Sequence, residues 1–274
     1  MAEQVRDADA VILANMPFPA QVIESAEKLR FIDVAFTGVD HVAIDAAKKR
    51  GIAVSNASGY STEAVAELAV GLALGLARRI PEAQENCRAG KSKAGLGFFE
   101  LKGKTVGIVG LGRIGSRSAE LFHAFGCGIL ACSRTVHAQC PDYIRQVPLD
   151  ELLGEADIVV LHCPLNESTR GMIGERELSL MKKTALLLNL ARGPVVQTQA
   201  LAEALRKGEI AGAGIDVFDK EPPLDADEPL LSAPNTLVTP HMAFATRESM
   251  LLRAQIVFDN LRAFKEGKQI NGVI

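Results

Sequence analysis

Short runs of consecutive apolar residues punctuate the chain without alternating with polar ones. They fall at Val11–Leu13, Phe31–Ala35, Ile52–Val54, Thr105–Val109, Gly128–Ala131, Asp157–Leu161, Ala185–Asn189, Ala213–Val217 and Leu237–Thr239. Strands covered on both faces need unbroken apolar runs of this kind. Between them lie segments with helical spacing, such as Gln199–Lys207, stopped by Gly208, and Ile114–Phe125, stopped by Gly126. Strand–helix alternation along almost the whole chain predicts an α/β protein with a mostly parallel sheet.

Two longer helices look like seams. Ser61 or Thr62 can cap a helix running to Arg79, with Glu63 in its first turn and Pro81 just beyond its end. Val65, Leu68, Val70, Leu72, Leu74 and Leu76 leave it little polar face, which predicts deep burial or an interface. The last helix, about Glu248 to Glu266, carries Leu251, Leu252, Ile256 and Leu261 and ends at Gly267. These seams divide the chain into a small domain at 1–60, a nucleotide domain at 61–246, and a C-terminal helix at 247–274 that returns to the first domain. The segment Pro81–Glu100, with its Gly-Lys-Ser-Lys tract, reads as an arm or loop reaching a partner.

Composition narrows the function. A chain of 274 residues with 48% hydrophobic and 23% charged residues is an ordinary globular protein. The net charge of -3 and the lack of any basic run argue against a nucleic-acid or membrane-surface partner. The start, MAEQVRDADA, has no apolar signal core, and the longest apolar stretch, Ala64–Ala77, is interrupted by Glu67. Five cysteines at scattered spacings (Cys87, Cys127, Cys132, Cys140, Cys163) read as reduced thiols of a cytoplasmic protein, and no Cys/His cluster suits zinc.

Gly110, Gly112 and Gly115 form a G-x-G-x-x-G pattern that follows an apolar strand and opens a helix. In that context Gly110 permits the tight turn, Gly112 the approach of a pyrophosphate, and Gly115 close helix–strand packing. Arg113 can reach a phosphate from the same loop. Ligands of open parallel sheets bind beyond the carboxyl ends of the strands. His162-Cys163-Pro164, Asn189-Leu-Ala-Arg192-Gly193, Asp216 and Pro240-His241 all fall there. A guanidinium, an acid and an imidazole on one rim suit a small anion with a carbonyl to polarise. His41, His123, His137 and His162 read as structural histidines, and Cys163 as a packing residue rather than a nucleophile.

Asn189–Gly193, Gly214-Ile-Asp216-Val-Phe-Asp-Lys-Glu221-Pro-Pro223 and Thr239-Pro-His241 resemble the signature segments of the D-isomer-specific 2-hydroxyacid dehydrogenases. The resemblance extends to Phe36–Asp40 and Ser58–Glu67, and so covers nearly the whole chain. It implies a Rossmann doubly wound domain with a smaller, truncated flavodoxin-like substrate domain, and hydride transfer between NAD(P)H and C2 of a small 2-oxo acid. It implies that His241 is the acid/base, oriented and favoured in its protonated form by Glu221, and that Arg192 binds the substrate's carboxylate and carbonyl. The backbone of Thr37, Gly38 and Val39 would receive the carboxylate. Asp216 would hold the nicotinamide carboxamide. The remaining cofactor contacts would come from Gly110, Gly112, Arg113, Ile114 and Gly115, from Ser133, Arg134 and Thr135, and from Cys163, Leu190, Ala191, His241 and Ala243. Homodimers are usual in the family, and glyoxylate or hydroxypyruvate is the favoured substrate.

The chain departs from the family pattern twice. It begins almost at Ala8–Ala14, where a strand and helix normally come first, and such a loss would expose a sheet edge. Where NAD-using members carry an acid, it has Ser133, in Cys132-Ser-Arg-Thr135, 23 residues beyond Gly110. Arg134 there favours NADP(H). The alternatives are a non-catalytic dinucleotide sensor or corepressor-like scaffold, and an enzyme of formate or phosphite. Glu221, where a formate enzyme would carry glutamine, disfavours the formate version.

Overall fold

The computed structural model describes residues 2–135, 139–221 and 223–274, so His137 and Pro222 lie outside the described residues. It divides into two compact units, one of Met1–Ser61 with Phe244–Ile274 and one of Thr62–Ala243.

The first unit holds three parallel strands, β1 (Ala10–Leu13), β2 (Phe31–Val34) and β3 (Ala53–Asn56), in the order β1-β2-β3. Its helices are α1 (Ala2–Val5), α2 (Ala20–Ser25), α3 (Ile44–Lys49) and, from the far end of the chain, α10 (Arg247–Lys265). Phe18, Ile23, Leu29, Ile32, Val34 and Val54 form its core. Ile12, on the edge strand β1, is half exposed. Thr246 caps α10 by accepting from the Ser249 amide at 3.1 Å. The helix is then fastened to the sheet: Phe264 stacks on Phe31 with ring centroids 4.4 Å apart, and Asn260 donates to Asp33 at 2.9 Å and to the Asn56 carbonyl at 3.1 Å. Asp33 is fully buried on a central strand, and loss of solvent raises its carboxyl to about 6, partly offset by the Asn260 bond.

The second unit carries seven parallel strands: β4 (Thr105–Val109), β5 (Gly128–Cys132), β6 (Ile144–Gln146), β7 (Ile158–Leu161), β8 (Leu186–Asn189), β9 (Gly212–Ile215) and β10 (Thr236–Val238). Their order, β10-β9-β8-β7-β4-β5-β6, grows outward in both directions from β4, so the winding reverses between β4 and β7. Such a reversal opens a crevice at the carboxyl ends of the two central strands. Successive side chains face opposite sides. Ile158 and Val160 enter the core beneath α4 (Thr62–Ala77) and α6 (Arg113–Ala124). Val159 and Leu161 enter the core beneath α7 (Leu149–Glu155), α8 (Glu175–Leu180) and α9 (Thr198–Lys207).

The expected strands and helices all appear, with ends within two residues. Two differences concern the second unit. The strand β6 carries no apolar run that would announce it. The long helix α4 stops at Ala77, Arg79 takes a left-handed turn with φ of 46°, and Pro81 enters the first turn of α5 (Ile80–Arg88). The expected arm at Pro81–Glu100 is therefore helical in its first half. No helix among the described residues is long and apolar enough to cross a membrane.

Candidate active site

The glycine loop fills the crevice at the end of β4. Gly110 has φ of 103°, and a Cβ there would lie 2.7 Å from the Cys163 amide nitrogen and 2.8 Å from the His162 carbonyl carbon. A Cβ on Gly115 would lie 1.9 Å from the Gly110 oxygen. Only glycine allows both approaches, and together they seat the first turn of α6 against β4. Gly112, the residue capping α6, has open space where a side chain would be. That open face, at the positive end of a helix, fits a dinucleotide pyrophosphate. Arg113 is exposed in the first turn, while Ile114 is half-buried against the core.

At the end of β7, His162 Nε2 lies 2.8 Å from the hydroxyl of Ser118, a fully buried residue of α6. Burial lowers the imidazole to about 4, so it stays neutral and clamps β7 to the helix behind the glycine loop. Cys163 is buried and its thiol is raised to about 11, which suits packing and not nucleophilic attack. At the end of β5 the Ser133 hydroxyl donates to the Thr135 carbonyl at 2.6 Å, and both Arg134 and Thr135 are exposed.

The side chains expected to take part in the chemistry follow β8, β9 and β10. Buried Asn189 shapes the first loop, accepting from the Ala191 amide at 3.1 Å and donating to the Arg192 carbonyl at 3.0 Å. Gly193 lets that loop press on Phe218, whose carbonyl carbon would be 2.0 Å from a Cβ. Leu190 and Ala191 are enclosed, whereas half-buried Arg192 holds part of its guanidinium on the Ala191 carbonyl at 2.9 Å. His241 Nδ1 lies 2.6 Å from Glu221 Oε2. The imidazole's backbone is left-handed, with φ of 53°.

Asp216, expected to hold the nicotinamide carboxamide, is fully buried at the end of β9. One carboxylate oxygen accepts from the Thr239 hydroxyl at 2.6 Å and the Met242 amide at 2.9 Å, and the other from the Ala243 amide at 3.0 Å. Three of its hydrogen bonds thus go to the segment around His241. Asn189, Ser118 and Thr239 are contributors for which sequence reading assigned no role. The spacing of Thr239 from Asp216 gives no local signal, since the pair meets only across neighbouring strands.

In the other unit Thr37, Gly38 and Val39 form a loop after β2, held by Asn56, which donates to the Thr37 carbonyl at 2.8 Å. Among the described residues no group of three or more His, Cys, Asp or Glu side chains could hold a metal. Of the other histidines, His123 stacks on Tyr143 with centroids 4.1 Å apart, and the His41 Nε2 atom is buried without a hydrogen-bond partner among the described residues.

Residues 70–243 match the family model for the NAD-binding domain of D-isomer specific 2-hydroxyacid dehydrogenases. The chain belongs to that family. A glyoxylate reductase of Korarchaeum cryptofilum is 43% identical over 275 residues, spanning 97% of this chain and 82% of the relative. Among solved structures, a glyoxylate reductase from Paecilomyes thermophila superposes with a TM-score of 0.92 at 32% identity, covering 99% of this chain and 85% of that one. An acyclic imino acid reductase in complex with NADPH and D-Arg gives 0.94 at 29% identity, covering 100% and 88%. This D-2-hydroxyacid dehydrogenase is accordingly an NAD(P)-dependent oxidoreductase, and its glycine loop is the place that fits the dinucleotide.

Proposed function

We propose that this enzyme reduces glyoxylate and similarly small 2-oxo acids to their 2-hydroxy acids, D at C2 wherever C2 becomes a stereocentre, preferring NADPH and working as a cytoplasmic homodimer. The observation that carries the reading is the 2.6 Å pair of His241 Nδ1 and Glu221. A carboxylate on Nδ1 fixes the proton there and leaves Nε2 to exchange a proton with the substrate's oxygen. Arg192 holds the carboxylate and the carbonyl oxygen, using a planar fork that lysine lacks. The backbone of Thr37, Gly38 and Val39 takes the same carboxylate. When bound, NAD(P)H supplies the hydride for C2. The enclosed surfaces of Cys163, Leu190, Ala191 and Ala243 keep water from its ring.

Glyoxylate is favoured by the curated relatives of that name. NADPH is favoured by exposed Arg134 at a position with no acid beside it. The dimer is supported by α5, which buries no residue, and by exposed Ile80 and Phe98 close by. The cytoplasm is supported by five unpaired cysteines. A panel of 2-oxo acids assayed with NADH and NADPH tests the reading, with light scattering for the dimer. Turnover of glyoxylate with kcat/KM higher for NADPH supports it. No turnover of any acid with either cofactor overturns it in favour of a dinucleotide sensor.

A further inference from the structure

Three aromatic rings meet edge-to-face in the first unit. Phe36 lies 6.2 Å from Tyr60 and 5.4 Å from Phe244, and Tyr60 lies 6.4 Å from Phe244, with ring planes 61° to 78° apart. Tyr60 is buried with Ala57 and Val257, and Phe36 and Phe244 are only partly covered. Their places in the chain are pointed: Phe36 directly precedes the Thr37–Val39 loop, and Phe244 follows His241 by three residues. Over the Phe36 ring, 4.6 Å from its centroid, lies the guanidinium of Arg253 from α10.

A ring attracts a cation but takes none of the five guanidinium N–H donors. Nothing else on α10 neutralises Arg253: its neighbours one turn away are Ser249, Met250, Ile256 and Val257. By contrast Arg262, on the same helix, pairs with Asp259 at 3.4 Å. Arg253 is also half-buried, so its charge is less screened than that of a fully exposed arginine.

We infer that Arg253, held on Phe36, is a specificity determinant that selects 2-oxo acids carrying a second carboxylate. This rests on the reductase reading, in which the adjacent loop holds the first carboxylate. The guanidinium fork suits a second carboxylate at the far end of the same molecule, and the partly exposed rings of Phe36 and Phe244 cover the methylene stem between the two. Glyoxylate has no side chain to reach the subsite.

The test compares 2-oxoglutarate, 2-oxopentanoate (the same stem without the second charge) and glyoxylate in the parent enzyme and in Arg253→Met, Arg253→Lys and Phe36→Leu. The parent is expected to prefer 2-oxoglutarate over 2-oxopentanoate by roughly 10- to 100-fold in kcat/KM, the worth of a charge-assisted pair. Arg253→Met should abolish or reverse that preference and lower the 2-oxoglutarate-to-glyoxylate ratio. Arg253→Lys should restore it in part, and Phe36→Leu should weaken it. Equal use of the two acids by the parent, or an unchanged ratio in Arg253→Met with an unaltered melting temperature, overturns the assignment. A parent that turns over glyoxylate but not 2-oxoglutarate overturns it while leaving the reductase reading standing. If no acid is turned over, calorimetric binding of 2-oxoglutarate and 2-oxopentanoate in the presence of NADP+ decides: binding that favours 2-oxoglutarate and needs Arg253 sustains the subsite, and indifferent binding ends it.

Discussion

Asp216 holds His241 in a left-handed backbone conformation by binding the residues on both sides of it. The carboxylate accepts from Thr239 before the histidine and from Met242 and Ala243 after it. A left-handed non-glycine residue costs about 1–3 kcal/mol, which these charge-assisted bonds offset. Asp216→Ala should therefore destabilise the protein by about 2–4 kcal/mol, the penalty of stripping a buried carboxylate network. Asp216→Asn should fold but lose roughly 10- to 100-fold in kcat, because it keeps one acceptor oxygen and sets an NH2 donor against a donor of the segment around His241. A denaturant melt and steady-state kinetics check this; an Asn variant at parental kcat would contradict it.

In the proposed reaction the imidazole acts on the substrate oxygen, so His241→Ala should lower kcat by roughly 10²–10⁴ while NADPH affinity changes little. Glu221→Gln keeps an acceptor for Nδ1 without the charge, and a loss of about 10-fold is expected. Nicotinamide fluorescence titrations beside turnover assays separate the two effects. Equal loss of binding and rate in His241→Ala would point to a misfolded loop instead.

The two units should answer pH in opposite senses. The carboxyl of Asp33 is raised to about 6 in the folded protein, so its contribution to stability is full below the ordinary value near 3.8 and is lost as pH rises through 6. The imidazole of His162 is lowered to about 4, so its contribution is present above 6.5 and is lost as pH falls towards 4. Asp33→Asn should raise the melting temperature at pH 7 and flatten the acid side of the profile for α10 and its sheet. His162→Gln should flatten the profile of the nucleotide unit. Hydrogen exchange at pH 4.5 and 7 resolves the units separately, and parallel pH responses from both would refute the assignment.

Arg134→Ala should shift the ratio of kcat/KM for NADPH over NADH downward by roughly 10-fold or more, through loss of a charge-assisted bond to the 2′-phosphate. A parent that prefers NADH, or a ratio that Arg134→Ala leaves in place, would remove this arginine from cofactor choice.

Much of this architecture can be read in one dimension because buried parallel strands need unbroken apolar runs, as Ile158–Leu161 and Leu186–Asn189 show. The strand β6 escapes such reading: it is three residues long and includes the outward-facing Arg145. The break between α4 and α5 was hidden too, because Arg79 gives no warning of a left-handed turn. At the site, Arg192, Glu221 and His241 stood out by motif. What the motif could not convey was the backbone geometry at His241, or that Asp216 spends three hydrogen bonds on its neighbours. Both depend on β9 and β10 lying side by side.

The first unit is assembled from the two ends of the chain. Its sheet comes from residues before Ser61, whereas Phe264 on Phe31, Asn260 on Asp33 and the Ile270 carbonyl bonded by Ser55 come from beyond Phe244. On a ribosome the early strands emerge roughly 200 residues ahead of the helix that covers them. At ordinary elongation rates that is about 10–40 s of exposure for a partly covered apolar sheet. The nucleotide unit, continuous in sequence, can close in the interval, so birth order sets it as the scaffold and leaves the first unit until the last helix arrives.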